Sequence, residues 1–101
     1  MNLSMIKQAQ ELKSKLDKAR KELKNVTVEA DSGKGAVKVT VNGQQKVLSI
    51  KISPDVINSD KVGELENLVL KAVKDGLEKS QKESAKHLKG LTGGLKIPGL
   101  F

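Results

Sequence analysis

The sequence contains no cysteine, a single histidine and a single aromatic residue, Phe101. Without cysteine the chain forms no disulfide and offers no thiolate nucleophile or cysteine-ligated zinc, which suits a reducing compartment. One imidazole, His87, does not build a histidine metal site or a Ser/His/Asp triad. No apolar run approaches the roughly 20 residues needed to span a membrane, and residues 1–24 are too charged for a signal peptide. We therefore expect a cytoplasmic protein that is not an enzyme and needs no cofactor.

Acidic residues are in the minority, with 12 against 19 basic residues and a net charge of +7. This surplus favours an acidic partner: nucleic acid, an anionic membrane or an acidic protein. The chain has no Trp or Tyr, the aromatic rings on which the bases of a single strand usually stack. Duplex DNA requires no such stacking, because cations can bind its phosphates. Without such rings on an apolar helix face, membrane-surface binding is disfavoured. With one arginine, strong sequence preference is not expected.

The first part of the chain, residues 3–24, has the apolar spacing of a helix, without proline or glycine. Its apolar residues recur at alternate steps of four and three, which gives one stripe along the whole helix. At 1.5 Å per residue the helix is about 33 Å long, whereas a seven-residue strand spans about 23 Å. Part of the stripe therefore has no sheet beneath it, and we expect a second copy to cover it in a homodimer. The predicted interface residues are Met5, Ala9, Leu12, Leu16, Ala19 and Leu23.

The middle of the chain changes to period two, which predicts three half-buried strands at 26–30, 37–41 and 48–52. Asn42-Gly43 predicts a tight type I′ turn between the second and third strands. Gly33-Lys34-Gly35 resembles a phosphate-binding loop, but such a loop leads into a helix, and here a strand follows. We interpret it as a hairpin loop, so that the strands form an antiparallel meander.

A second helix is predicted from about residue 60 to 88. Its apolar pattern fades from residue 78, where Ser80, Ser84 and His87 occupy the previously apolar face, so we expect this half to leave the core and either project into solvent or meet a partner. The segment 90–101 has four glycines and one proline, and we expect a flexible Gly-rich C-terminal tail. The fold class is therefore α+β: a helix, a three-stranded antiparallel β-meander and a long second helix in a single domain over residues 1–89.

The excess positive charge lies in the predicted helices. Residues 1–24 contain seven basic and three acidic residues, whereas residues 25–60 contain four of each. On the second helix, i,i+4 pairs such as Glu78 with Lys82 weaken the basic patch. The predicted DNA contacts are Lys13, Arg20, Lys21 and Lys24 on the first helix and, as a second choice, Lys71, Lys74, Lys82 and Lys89 on the second.

The order of several short motifs resembles the YbaB/EbfC family of bacterial nucleoid-associated proteins over essentially the whole chain. The motifs are Lys7-Gln8-Ala9-Gln10, Gly35-Ala36-Val37-Lys38-Val39 leading to Asn42-Gly43, Ile52-Ser53-Pro54, and Leu91-Thr92-Gly93-Gly94-Leu95 with Pro98-Gly99. The resemblance implies a homodimer shaped like tweezers with helical arms, which binds DNA in the cytosol and organises or regulates the nucleoid. It supplies no catalytic motif and no fixed set of DNA contacts. The methionine-rich tail common in the family is replaced here by leucine and isoleucine.

The expected function is therefore binding of double-stranded DNA at the nucleoid by a homodimer, mainly through phosphates and with weak sequence preference. No membrane and no small-molecule substrate is expected. The alternative is a protein-interaction module or scaffold whose heptad stripe and apolar tail bind a protein partner, with the lysines serving solubility. An enzyme is disfavoured, because no paired carboxylates, activated nucleophile or metal cluster has the spacing of a site.

Overall fold

The computed structural model describes residues 2–92 of the chain and contains two helices and one antiparallel sheet. The elements follow the predicted order: α1 (Leu3–Leu23), β1 (Thr27–Ser32), β2 (Val37–Asn42), β3 (Val47–Ile52), a short 3-10 turn (Pro54–Val56) and α2 (Val62–Thr92). The α+β class is confirmed. α2 ends four residues later than predicted, so the predicted tail begins inside it, and the remainder of that tail lies outside the described residues.

The sheet has the order β1-β2-β3, with both neighbouring pairs antiparallel, which confirms the meander. β2 lies in the centre, and its three valines, Val37, Val39 and Val41, are fully buried. Their alternation with the outward-facing Lys38 and Thr40 is the period-two pattern of a strand with one covered face. The core of the chain is therefore built on the central strand.

α2 lies close to β1 and β2 because small residues face the sheet. Ala72 and Gly76 are buried, and Ser80 one turn later is also buried, at the i, i+4, i+8 positions of one helix face. A Cβ at Gly76 would stand 2.9 Å from a methyl carbon of Val41, so a larger residue would separate the two layers. Lys79 adds a polar contact, since its Nζ donates to the Glu29 carbonyl of β1 at 2.9 Å.

Most of the third strand is uncovered in the single chain, although the sequence predicted a half-buried strand; only Val47 at its start packs against the core. Leu48, Ile50 and Ile52 are between 39 % and 49 % exposed. Ile50 pairs directly with Val39, and Ile52 with Val37, so both lie on the face of the sheet that α2 covers elsewhere. The physical reason for the difference is that α2 packs on β1 and β2 and leaves β3 beside it.

The two hairpin turns differ from each other in how they use glycine. In the first, Gly33, Lys34 and Gly35 all have positive φ, which agrees with a hairpin loop. In the second, the predicted type I′ turn is wrong, because Gly43 does not have positive φ and Gln45 does, at 63°. Asn42 still belongs to β2, and its side-chain oxygen accepts the backbone N–H groups of Gln44 and Lys46, which produces a wider turn.

Beyond the sheet the chain extends as a pair of helices. α1 ends at the β2–β3 turn, and α2 passes the same turn at Ser80 and continues outward, so the two helices run antiparallel. Glu22 of α1 and His87 of α2 meet across the pair at 3.0 Å. We call residues 3–24 and 81–92 the arm, and residues 25–80 the sheet layer. The radius of gyration is 19.0 Å, against about 13 Å for a compact chain of this length, because the arm projects.

Candidate nucleic-acid interface

The positive charge of the described chain is concentrated in the arm. The arm carries ten basic and four acidic residues, whereas the sheet layer carries eight of each. A surplus of six charges on two paired helices produces a positive surface there, while the layer that supports them is neutral. The arm is therefore the part of the described chain that suits a polyanion.

The four DNA contacts predicted on the first helix all lie in the arm, and all four side chains are exposed. Lys13, Arg20 and Lys21 belong to the helix, and Lys24 caps its C-terminal end. Arg20 and Lys21 occupy the last turn, where positive charge also complements the negative end of the helix dipole. Lys13 and Lys21 line a shallow depression together with Asp17, the acidic interruption of this basic surface.

The four DNA contacts predicted on α2 do not form one site, because two of them lie in the arm and two on the sheet layer. Lys82 and Lys89 are exposed in the arm, whereas Lys71 and Lys74 are exposed on the neutral sheet layer. Lys82 is 3.6 Å from the Glu78 carboxylate, which agrees with the predicted i,i+4 pair. Both side chains of that pair are well exposed, so salt screens it, and Lys82 remains available to an anion.

The structure adds one basic residue to this group that the sequence analysis did not single out. Lys86 is exposed in the arm between Lys82 and Lys89. The three lysines follow the i, i+4, i+7 spacing of a single helix face. This spacing was readable from the sequence, but the contact between α1 and the end of α2 shows that the cations of both helices belong to one pair of packed helices.

Comparison with known protein families identifies the family of this chain. The model of the YbaB/EbfC DNA-binding family matches residues 1–95. The chain belongs to the YbaB/EbfC family. A nucleoid-associated protein of Thermoanaerobacter pseudethanolicus is 46 % identical over 98 residues, covering 97 % of this chain and 88 % of that protein. A nucleoid-associated protein of Clostridium acetobutylicum is 41 % identical over 97 residues, covering 96 % of this chain and 87 % of its relative.

A solved structure shows the same fold at low sequence identity. The crystal structure of an uncharacterized protein from Helicobacter pylori superimposes with a TM-score of 0.79 and 17 % identity, covering 92 % of this chain and 99 % of the other. The order of helix, three-stranded sheet and long helix is therefore that of a known structure. The YbaB/EbfC family is one of DNA-binding proteins and not of enzymes.

The stripe proposed from the sequence as a dimer interface divides into two parts in this YbaB/EbfC chain. Ala19 and Leu23 are buried within the single chain, so their surface is already covered before a second copy could contact it. Leu12 and Leu16 are half-buried, and Met5 and Ala9 are exposed. The reason is that the end of α2 packs along the inner part of α1, which the fading apolar pattern of α2 did not indicate.

Residues 2–92 provide neither a metal site nor a membrane span. Over that range there is no group of three or more histidine, cysteine or acidic residues that could hold a metal ion. Within the same residues, neither helix has the length and apolar character needed to cross a membrane. The positive surface of the arm is the strongest candidate site that the described residues provide.

Proposed function

We propose that this chain is a nucleoid-associated protein that binds double-stranded DNA through phosphate contacts made by the arm. The observation that carries the proposal is the separation of charge: a surplus of six positive charges in the arm above a neutral sheet layer. The proposed contacts are those predicted from the sequence, with the arm residues first and the sheet-layer pair second: Lys13, Arg20, Lys21, Lys24, Lys82 and Lys89, then Lys71 and Lys74.

The spacing of these cations supports a duplex as the ligand. Lys13 and Arg20 are seven residues apart, as are Lys82 and Lys89, so each pair lies on one face of its helix. Seven residues advance about 10.5 Å along a helix, which is close to three base-pair steps of about 3.4 Å. The described arm contains no Phe, Tyr or Trp on which unpaired bases could stack. Phosphate contacts of this kind carry little sequence information, so we propose that the chain binds DNA with weak sequence preference. We also propose that it acts in the cytoplasm, where it organises or regulates the chromosome.

The proposal includes a homodimer, and the uncovered face of β3 supports a position for the second copy. Ile50 and Ile52 continue the buried face of β2 into solvent, at a strand that also forms the edge of the sheet. A two-fold contact between two such faces would cover the same residues in both copies. The exposed outer part of the α1 stripe, Met5 and Ala9, could contribute a second contact. Each dimer would then present two arms to one DNA duplex.

Binding is tested with charge-reversed variants in gel-shift or fluorescence-anisotropy titrations of duplex DNA. We expect Lys13→Glu, Arg20→Glu and Lys24→Glu together to abolish binding, because they change the arm by six charges. The matched control reverses the charge of three exposed lysines of the sheet layer, which also changes the net charge by six: Lys34→Glu, Lys51→Glu and Lys61→Glu. Equal loss of affinity in both triple variants would show that net charge matters and the arm does not, and would contradict the proposal.

A second candidate function is supported by one observation at the free end of the arm. Leu3, Met5 and Ile6 are exposed apolar residues, with Leu3 83 % exposed. Such a surface is typical of a protein-interaction module or scaffold, the alternative that the sequence left open. The two functions are distinguished by the wild-type chain, since an interaction module would show no affinity for duplex DNA even at low salt.

A further inference from the structure

The arm is held by hydrogen bonds at the turn between β2 and β3, which comprises residues 43–46 together with Asn42, the last residue of β2. Gln44 Nε2 donates to the Arg20 carbonyl at 2.9 Å. The backbone N–H of Gly43 donates to the carbonyls of Leu23 and Val26, at 2.9 and 2.8 Å. Carbonyls in the last turn of a helix lack their usual partners within the helix. The turn supplies a donor to the Arg20 carbonyl and a second donor to the Leu23 carbonyl, which also accepts the Val26 N–H at 3.2 Å. A turn distant in sequence thus closes the C-terminal end of α1.

Gly43 is required in this turn for space and not for backbone conformation. Its φ is not positive, and the residue is buried. A Cβ at Gly43 would stand 2.8 Å from both the carbonyl oxygen and a methyl carbon of Leu23. One of these atoms belongs to the backbone of α1, so a side chain here cannot be accommodated by rotating another side chain alone. The end of α1 would have to move.

The same turn also holds α2, the second helix of the arm. Ser80 is fully buried, and its hydroxyl donates to the Asn42 carbonyl at 2.6 Å. The Asn42 side chain in turn accepts the backbone N–H groups of Gln44 and Lys46 at 3.0 Å each, which fixes the shape of the turn. Both helices of the arm are therefore attached to one rigid turn of the sheet.

We infer that the β2–β3 turn is the joint that sets the direction of the arm, and that Gly43, Gln44 and Ser80 are positioning residues for DNA binding. This inference rests on the proposed function of the arm, because the direction matters only if the arm holds the ligand. The three residues act through the helices that carry the cations. Arg20 connects the two roles, since its carbonyl is held by Gln44 while its side chain is a proposed phosphate contact.

The length of α1 amplifies a small movement at this joint. Leu23 lies about 6 Å along the helix axis from the buried Ala19, and Gln8 lies about 16 Å from Ala19 in the other direction. A 1 Å displacement of the anchored end about Ala19 therefore moves the helix near Gln8 by about 3 Å. At Lys13, a proposed phosphate contact about 9 Å from Ala19, the helix moves by about 1.5 Å, which exceeds the spread of about 0.5 Å in hydrogen-bond donor–acceptor distances.

The direction of the arm can be measured directly because the chain has no cysteine of its own. Spin labels at Gln8→Cys in α1 and Ser49→Cys in β3, both exposed positions, report the distance between arm and sheet. Dilution with unlabelled protein restricts the signal to distances within one chain. We expect Gly43→Ala to shift or broaden this distance by about 3 Å. The matched control Gly90→Ala, where a Cβ has no neighbour within 4 Å, should leave it unchanged.

DNA affinity is then measured for the unlabelled variants, at a temperature where circular dichroism shows each to be folded. We expect Gly43→Ala to raise the Kd for duplex DNA at least tenfold and to reduce the salt dependence of binding, since fewer phosphates are contacted at once. Loss of stability alone changes neither quantity in a folded protein. Gln44→Ala, at an exposed position, should show the same direction of change with a smaller magnitude.

A second matched pair separates the joint from the rest of the fold. Ser80→Ala and Ser32→Ala each remove a buried hydroxyl that donates to a backbone carbonyl, but Ser32 bonds to Leu68, away from the arm. Only Ser80→Ala should alter the label distance and the affinity. An unchanged distance in Gly43→Ala and Ser80→Ala, or a shifted distance with wild-type affinity, would overturn the inference. Failure of the wild-type chain to bind duplex DNA would refute the proposed function, while the label distances would still test the joint.

Discussion

Replacing Gly76 by alanine tests the close approach of α2 to the sheet. In an exposed helix, Gly→Ala stabilises the folded state by about 0.5–1 kcal/mol, because alanine has the higher helix propensity. At Gly76 the new methyl group would lie 2.9 Å from a methyl carbon of Val41, which is fully buried. Valine has a restricted χ1, so it cannot turn away, and overpacking of a tight core costs about 1–3 kcal/mol. We therefore expect a net destabilisation of about 1 kcal/mol.

The assay is urea unfolding followed by circular dichroism at a fixed protein concentration, which holds any effect of dimerisation constant. Gly63→Ala and Gly90→Ala are matched controls in the same helix, since a Cβ at either position has no neighbour within 4 Å. Both controls should stabilise the protein, by up to about 1 kcal/mol, so the sign should differ from that of Gly76→Ala. If Gly76→Ala stabilises the chain as the controls do, α2 does not lie as close to β2 as described.

Three further changes test the core, the proposed dimer and the contact across the arm. Val39→Ala removes two buried methyl groups from the central strand and should lower the free energy of unfolding by about 2–3 kcal/mol in urea titrations; a loss below about 1 kcal/mol would contradict its place in the core. Ile50→Glu should convert the proposed homodimer to a monomer in sedimentation experiments while the circular dichroism spectrum is retained, and an unchanged dimer would exclude the β3 face as the interface. His87→Ala removes the partly exposed contact with Glu22 and should change the free energy of unfolding by less than about 0.5 kcal/mol, since exposed polar pairs contribute little. A larger effect would show that this contact is a main attachment between the two helices.

The elements of the fold were predictable from the sequence because each has a clear period. The steps of four and three in α1 and the alternating valines of β2 both reflect residues that face one covered side. The class and the element order are confirmed. The exposure of β3 was not predictable, because its pattern of Leu48, Ile50 and Ile52 is the same whether the covering layer comes from its own chain or from a second one.

The joint between the arm and the sheet also could not be predicted from the sequence pattern. Asn42-Gly43 is typical of a tight hairpin turn, and nothing local indicates that Gly43 is there to admit Leu23 from another part of the chain. Ser80 falls where the apolar pattern of α2 fades, yet it is fully buried because its hydroxyl has a carbonyl partner. Long-range contacts of this kind depend on how the elements are placed, which a local period does not record.

The basic residues were predictable from the sequence, but their division between the arm and the sheet layer was not. Placing residues on each helix separately identified Lys13 and Arg20 as well as Lys82 and Lys89. It also grouped Lys71 and Lys74 with the latter two, because all four lie on the same helix. The structure separates them, since the helix leaves the sheet at Ser80 and only its last part joins α1.

The most direct test of the account is the affinity of the wild-type chain for duplex DNA across a series of salt concentrations, compared with a single strand of equal length. If the arm contacts phosphates through its six proposed cations, the logarithm of the binding constant should fall linearly with the logarithm of salt concentration, with a slope of about −5 for each arm engaged. The duplex should bind more tightly than the single strand at every salt concentration. A flat salt response, or tighter binding of the single strand, would contradict the central claim that the arm binds duplex DNA through its phosphates.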